Sequence, residues 1–466
     1  MLIGWARADI TPDRPTALRG QFRTRISEYV GDPLTVTALA LEGQNGAGDA
    51  EQTVMVSCDR GTIPGFIHER ICEVLRSRLP ELDTGKLFLN ATHTHAAPTL
   101  TEGIYPPDDP PVMSPTEYAE VFVERVADAV IDAWQRRAPG GVSWGLGHAV
   151  VGHNRRASYA DGRSQMYGDT SLPDFWGMEG YEDHSLDLLF TWDAADALTG
   201  VIVNLACPSQ VTENVSYVTA DYWHEVRVDL ARRLGDSVFV MSQCSAAGDQ
   251  SPHLLVDKAA EKRMLELRGL TEREEIARRV GLSVEDVVEL AACDIRRDPV
   301  LEHSLRKVNL PIRRVTDEEY ETSRTTIEEL EAENPDPKDS LASSRHFIML
   351  RRNRTVVARY ESQDAEPWRE VELHCVRLGD IAFATSPFEY FLDYGLRIAA
   401  RSRAVQTFVV QLASGGPDND GTYLPTERAV AARSYGAEAV DSSVGPDGGQ
   451  VIVEETLEAL DAMWDD

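Results

Sequence analysis

The chain has 466 residues, 42% of them hydrophobic, and a formal net charge of −31, which gives length and apolar content enough for one large enzyme domain with a sizeable core. So acidic a surface repels nucleic-acid phosphates and anionic membrane faces, so neither is the expected partner, and nucleic-acid binding through the charged segment 254–345 would have to work against the net charge. No run reaches the roughly 20 apolar residues of an integral membrane segment, the start lacks a charged stretch followed by an apolar one, and six scattered cysteines form no CxxC pair; a cytoplasmic protein with reduced thiols is the expectation.

Short apolar runs recur along the chain, each stopping at a polar cluster. Residues 53–57 run into Cys58 and Asp59, and an amphipathic helix follows over 66–77. Residues 87–90 run into Thr92, His93, Thr94 and His95. The spacing of Val121, Val123, Val126, Val130, Ile131 and Trp134 predicts a helix over 116–137. Residues 201–206 end at Cys207-Pro208, and Asp221 is placed to cap a helix reaching 234. Residues 238–241 lead to Gly248, Asp249, Gln250, Ser251 and Pro252. Segment 254–345 is charged and poor in strand signal. Thr271 with Glu274 and Thr316 with Glu319 read as capping boxes, Gly269 and Gly281 as helix stops, and 335–337 as a loop. Its stretch 273–288 resembles a helix-turn-helix, with a plain αα-hairpin as the alternative. Residues 381–384 lead to Pro387, Phe388 and Glu389, and 408–410 to a Gly-rich loop and Tyr423.

Runs of four to six apolar residues suggest strands buried on both faces, and strands alternating with helices give an α/β fold. The expectation is mixed buried β-sheets flanked by helices, a helical insertion at 254–345, and one site where the strands end. Two imidazoles two residues apart project to one face if the strand continues. They then divide metal binding and proton transfer, or form a structural pair. Ser251 sits in a glycine-opened turn, as nucleophile, substrate donor or simple Ser turn. Glu389 is a metal ligand or half of a salt bridge. Asp9 and Asp59 are acceptors orienting an imidazole, or turn and cap residues. Tyr423 and Tyr435 alone read as core or surface aromatics, and His153, His184 and His253 as satisfied histidines.

Arg7-Ala-Asp9-Ile-Thr-Pro12, Val56-Ser-Cys-Asp59, Ala91-Thr-His-Thr-His95, His153-Asn-Arg-Arg156, Gly248-Asp-Gln-Ser-Pro252, Pro387-Phe-Glu389 and Tyr423-Leu-Pro-Thr426 stand in this order. The ordered set resembles the neutral/alkaline ceramidases over nearly the whole chain apart from the insertion. The resemblance implies a single catalytic domain over 1–466 and a zinc amidase acting on a small-molecule or lipid-like amide, a role in lipid metabolism. It puts zinc ligands at His93, Glu389 and Tyr423, and an active-site partner at His95. Tyr435, twelve positions after Tyr423, falls where a tyrosine stabilises the tetrahedral intermediate. Ser251 falls on the nucleophile, Arg155 and Asn154 on substrate-pocket residues, and Asp249 beside them in the serine loop. Water positioned by Ser251 is the alternative nucleophile.

One position departs from the pattern. The family's remaining zinc ligand is a histidine fourteen residues before a helix-opening aspartate, and here Cys207 stands fourteen before Asp221. Thiolate is a competent zinc ligand, so a His/Cys/Glu/Tyr site is chemically sound, with a weaker Lewis acid at its centre. The alternatives are an inert core thiol at Cys207 or an imidazole from His224 or His184. Family members carry a further C-terminal β domain and usually an export signal, whereas this chain stops soon after Tyr435. An N-acyl compound other than ceramide is therefore the alternative substrate. A catalytically silent, small-molecule-binding relative is the alternative function.

Overall fold

Two β-sheets lie face to face, and alternation along their strands decides what each face covers. The computed structural model describes residues 1–106, 112–336, 338–414, 416 and 421–464. The larger sheet contains β1 (Leu2–Asp9), β2 (Thr35–Gln44), β3 (Ala50–Cys58), β4 (Leu87–Ala91), β5 (Ala138–His148), β6 (Ser185–Asp193), β7 (Leu198–Leu205) and β8 (Phe239–Cys244). Their order is β8-β7-β6-β5-β1-β2-β3-β4, antiparallel except at the parallel pairs β7–β8 and β3–β4. The smaller sheet is β9 (Leu301–Pro311), β10 (Trp368–Leu378), β11 (Ile381–Thr385) and β12 (Gln406–Val410), in that order, with β11–β12 parallel.

Successive side chains of a strand point to opposite faces. Leu39, Met55, Phe88, Leu189 and Ile202 of the larger sheet meet Ile381, Phe383, Phe408 and Val410 of the smaller one in the central core. Their chain neighbours Ala38, Val54, Val56 and Leu89 point outward under helices α1 (Gly65–Arg78) and α2 (Pro115–Gln135). Leu188, Phe190, Val201 and Val203 point outward under α3 (Tyr222–Leu234) and, beyond the helix α4 (Lys258–Arg268), α5 (Glu272–Ala291). Strands buried on both faces read as near-continuous apolar runs, as expected of 87–90, 201–206 and 381–384, which Asn90 and Asn204 alone interrupt. Among the described residues no helix is long and apolar enough to cross a membrane.

Segment 254–345 differs from the helical insertion expected of it. Both capping boxes form, and Gly269 ends α4 in a left-handed conformation. But residues 301–311 are β9, paired along all eleven positions with β10. Its apolar residues Leu301, Leu305, Val308 and Leu310 are separated by Glu302, Arg306, Lys307 and Asn309, and this spacing hid the strand from a search for unbroken runs. The stretch 273–288 is neither a helix-turn-helix nor a hairpin: α5 runs through Gly281. A Cβ there would come within 2.0 Å of the Asp229 carboxylate, so this glycine marks a close approach of α5 to α3 rather than a stop. Two further helices, α6 (Asp317–Ala332) and α7 (Ser340–Ser362), complete this region. Of the 335–337 loop, Pro337 lies outside the described residues.

Asp59 ties the end of β3 to α3. Fully buried, it accepts both Arg227 nitrogens at 2.7 and 2.8 Å and the Thr35 backbone and hydroxyl at 2.8 and 2.9 Å. Among the described residues it makes no bond to an imidazole, and Asp9 accepts the Thr11 N–H in a turn. Asp59→Ala strands the Arg227 guanidinium, and removing one partner of a buried pair costs about 3–5 kcal/mol. The urea midpoint should fall accordingly; a loss under about 1 kcal/mol would show the pair to be dispensable.

Candidate active site

Where β11 and β12 end, the chain forms a two-residue parallel ladder that pairs Glu389 with Tyr423 and Tyr390 with Leu424. Backbone register thus sets a carboxylate beside a phenol 34 residues away in sequence. His93 arrives from the end of β4. The strand stops at Ala91, and His93 takes a positive φ of 65°, a conformation costing a non-glycine residue about 1–3 kcal/mol unless its surroundings hold it. The turn, rather than a continued strand, therefore brings the rings of His93 and His95 together, edge to face at 4.9 Å. His93 Nε2 lies 3.2 Å from Glu389 Oε2, and Tyr423 and Tyr435 pack edge to face at 5.4 Å.

Arg155 binds the group together. Buried, it donates to the Tyr423 hydroxyl at 3.0 Å, the Gly248 carbonyl at 2.8 Å and Gln210 Oε1 at 3.4 Å. Gln210 Nε2 in turn lies 2.9 Å from His95 Nε2. Burial opposes charge on Glu389, yet His93, Arg155 and the Tyr423 hydroxyl hold its carboxyl below the usual range. Burial, reinforced by His93, Arg25, Arg155 and Arg19, holds His95 well below the ordinary imidazole value and so neutral. Burial likewise pushes both tyrosines up, leaving them as phenols. His93, His95, Glu389, Tyr423 and Tyr435 line one cleft of about 160 Å³.

The other expected site residues lie outside that lining. Ser251 pairs in a short ladder with His153, its Oγ 3.0 Å from the Tyr167 hydroxyl and accepting the His253 N–H at 3.1 Å. Asp249 binds Asn154 Nδ2 at 2.9 Å and the Leu392 N–H at 2.9 Å, so these two residues fasten loops. The Cys207 sulfur is buried 3.5 Å from the Pro208 carbonyl, amid the core under α3. Burial, with Cys244 and Asp221 nearby, pushes its thiol far above the ordinary value. His184 meets Glu182 at 3.4 Å, and His224 sits in a groove with Asp9 and Arg227. Neither imidazole replaces Cys207 in the cleft.

Two contributors were not foreseen. Gln210 has no chemical signature of its own beyond following Cys207-Pro208. Gly61, whose carbonyl lies 2.7 Å from His93 Nδ1, acts through its backbone, which no side-chain motif reveals. A third close contact, at Gly20 (φ +115°), leaves no room for a Cβ, which would stand 2.4 Å from the His95 ring.

For a metal the donor set is partial. A carbonyl only accepts, so the Gly61 contact puts the proton of a neutral His93 on Nδ1 and leaves a lone pair on Nε2. That Nε2 is buried without a hydrogen-bond partner and faces the Glu389 carboxylate. Two lone-pair-bearing atoms in such apposition need a second proton or a metal cation between them. Tyr423 is the third oxygen or nitrogen donor at the spot. Among the described residues no group of three or more His, Cys, Asp and Glu is arranged to hold a metal ion, so the phenol, which that set of types omits, is needed to complete a triad.

No family model matches the sequence, and no curated protein matches it. Among solved structures, neutral ceramidase from Pseudomonas aeruginosa matches with a TM-score of 0.69 and 18% identity, over 99% of this chain and 74% of that one. A ceramidase complexed with C2 matches with a TM-score of 0.66 and 16% identity, over 100% of this chain and 75% of that one. At such identities the likeness fixes the fold: this chain has the mixed α/β architecture of neutral ceramidase.

Proposed function

We propose that the chain is a ceramidase-like hydrolase of the amide bond in an N-acyl substrate, dependent on a zinc ion held by His93, Glu389 and Tyr423. The observation that carries this reading is the bare Nε2 of His93 aimed at a buried carboxylate beside a phenol. Three protein donors with an open fourth position are the arrangement of catalytic zinc, whereas structural zinc is closed by four. Cys207 is not needed as a ligand in this reading and stays a core thiol. When bound, zinc supplies Lewis acidity toward the scissile carbonyl.

The chain's own residues do the rest. The Gly61 carbonyl fixes the His93 tautomer, and Arg155 orients the Tyr423 hydroxyl. Tyr435, kept protonated, is a donor toward the oxyanion that forms when the carbonyl is attacked. His95, kept neutral, has its Nε2 lone pair engaged by the Gln210 amide N–H. Once that contact yields, Nε2 can take a proton from attacking water and return it to the leaving amine. Water is favoured as the nucleophile, because the partners of Ser251 Oγ are Tyr167 and a backbone N–H rather than a base in the cleft.

Turnover of C2-ceramide and of simple N-acyl amides by chelator-treated and zinc-restored protein tests the proposal. Hydrolysis that disappears with the metal and returns with it is expected. No hydrolysis of any amide by zinc-loaded protein would overturn it in favour of a silent binding protein.

A further inference from the structure

The mouth of the cleft carries positive charge that nothing in the proposed hydrolysis uses. Arg19, Arg351 and Arg352 all line it, in a chain of net charge −31. Arg352 is paired with Asp441 and stacks over Phe22 at 4.6 Å. For the side chains of Arg19 and Arg351, by contrast, the described residues offer no hydrogen bond and no carboxylate within salt-bridge distance. Arg19 belongs to the catalytic end: its stem would contact a Cβ at Gly61 at 3.3 Å, and its charge is felt at His95. Arg351, on α7, is near enough to Arg19 and Arg352 that burial and their like charges together pull it below the ordinary guanidinium value. Among the described residues the buried Arg25 side chain donates only to the carbonyls of Val215, Arg19 and His95, and burial pulls it down to about 10. Like charges gathered around a cleft repel one another unless an anion joins them. Beside these two guanidinium groups, Arg19 and Arg351, stand Phe22, Ile104, Ile348 and Val440, a wall suited to an alkyl chain.

We propose that Arg19 and Arg351 form an oxyanion subsite, so that the preferred substrate is an N-acyl amide bearing a carboxylate or phosphate rather than a neutral one. The inference rests on the amide-hydrolase reading for the word substrate, and the subsite itself can be tested without turnover. Guanidinium is matched to both oxyanions by its paired N–H donors. Hydrogen bonds to charged groups are worth enough for a preference on the order of tenfold per arginine.

The test is equilibrium binding to chelator-treated protein of three octanoyl amides: N-octanoylglycine, N-octanoyl-O-phosphoethanolamine and the neutral N-octanoylethanolamine. Wild-type protein should favour one or both anionic compounds over the neutral one by at least about tenfold, weakening with added salt; whichever anion binds more tightly identifies the natural oxyanion. Arg351→Met, at a position whose side chain has no partner among the described residues, should cut that preference about tenfold, and Arg351→Glu should invert it. Arg19→Met should act in the same direction. Equal binding of all three compounds, or a preference that survives in the Arg19→Met/Arg351→Met protein, would overturn the subsite. Anion preference without hydrolysis would leave the subsite standing and remove the hydrolase reading; hydrolysis without anion preference would do the opposite.

Discussion

Alanine at His93 or at Glu389 is expected to lower kcat/KM for an N-acyl amide at least about a thousandfold, a loss near 4 kcal/mol of transition-state stabilisation, and to abolish bound zinc. The two variants should differ in what they do to the fold. His93→Ala leaves the Glu389 carboxylate buried with only Arg155 and Tyr423 to hold its charge, so the protein should lose stability. Glu389→Gln removes the apposition of two lone pairs, and its amide can donate to the His93 Nε2 that has no partner. In chelator this variant should therefore melt no lower than wild type while being inactive. Were His93 instead a doubly protonated partner in a plain ion pair, Glu389→Gln would destabilise the protein by a few kcal/mol. Metal content by elemental analysis, turnover and thermal melting decide between these cases. Retained metal with full turnover in both alanine variants would end the assignment of the metal site.

Arg155→Met should produce the second-largest effect, lowering kcat about a hundredfold or more and stability by about 3 kcal/mol. The guanidinium is buried, yet held charged well above its ordinary value: burial opposes this and is outweighed by Tyr423, Tyr167, Glu389 and Tyr435. It is the one group that touches the Tyr423 hydroxyl, the Gly248 carbonyl of the serine loop and, through Gln210, the His95 side. Methionine keeps the volume and leaves those acceptors without a donor. Lysine should not rescue activity, because one ammonium cannot reproduce a planar fork reaching three acceptors. Kinetics and urea denaturation on the Met and Lys variants check this. Wild-type kcat in either would show that Arg155 is only structural.

The contrast between β4 and β9 shows what kind of information the sequence holds. Residues 87–90 were legible because a strand buried on both faces is mostly apolar, and the same holds for 201–206 and 381–384, with only Asn90 and Asn204 as polar members. Strand β9 was missed because its buried apolar residues, Leu301 on one face and Val308 and Leu310 on the other, are spaced out among charged ones, so no apolar run marks it. Gly281 misled for a related reason: a glycine that lets two helices touch and one that ends a helix look the same in one dimension. At the site, His93, His95, Glu389, Tyr423 and Tyr435 could be singled out by residue type and order. Gln210, Gly61 and Arg19 could not, since an amide, a backbone carbonyl and an arginine without a partner among the described residues acquire meaning only from what faces them.

What the sequence alone determined is the class of fold and the side chains with chemistry to offer, because apolar periodicity and residue type are local properties. Which of those side chains share a cleft was decided by tertiary structure: the Glu389–Tyr423 ladder and the left-handed turn at His93 bring an imidazole, a carboxylate and a phenol together, while Cys207, Asn154 and Asp249 do not line that cleft. Distances between residues hundreds of positions apart are set by how two sheets stack and where their strands end, and no local pattern encodes that.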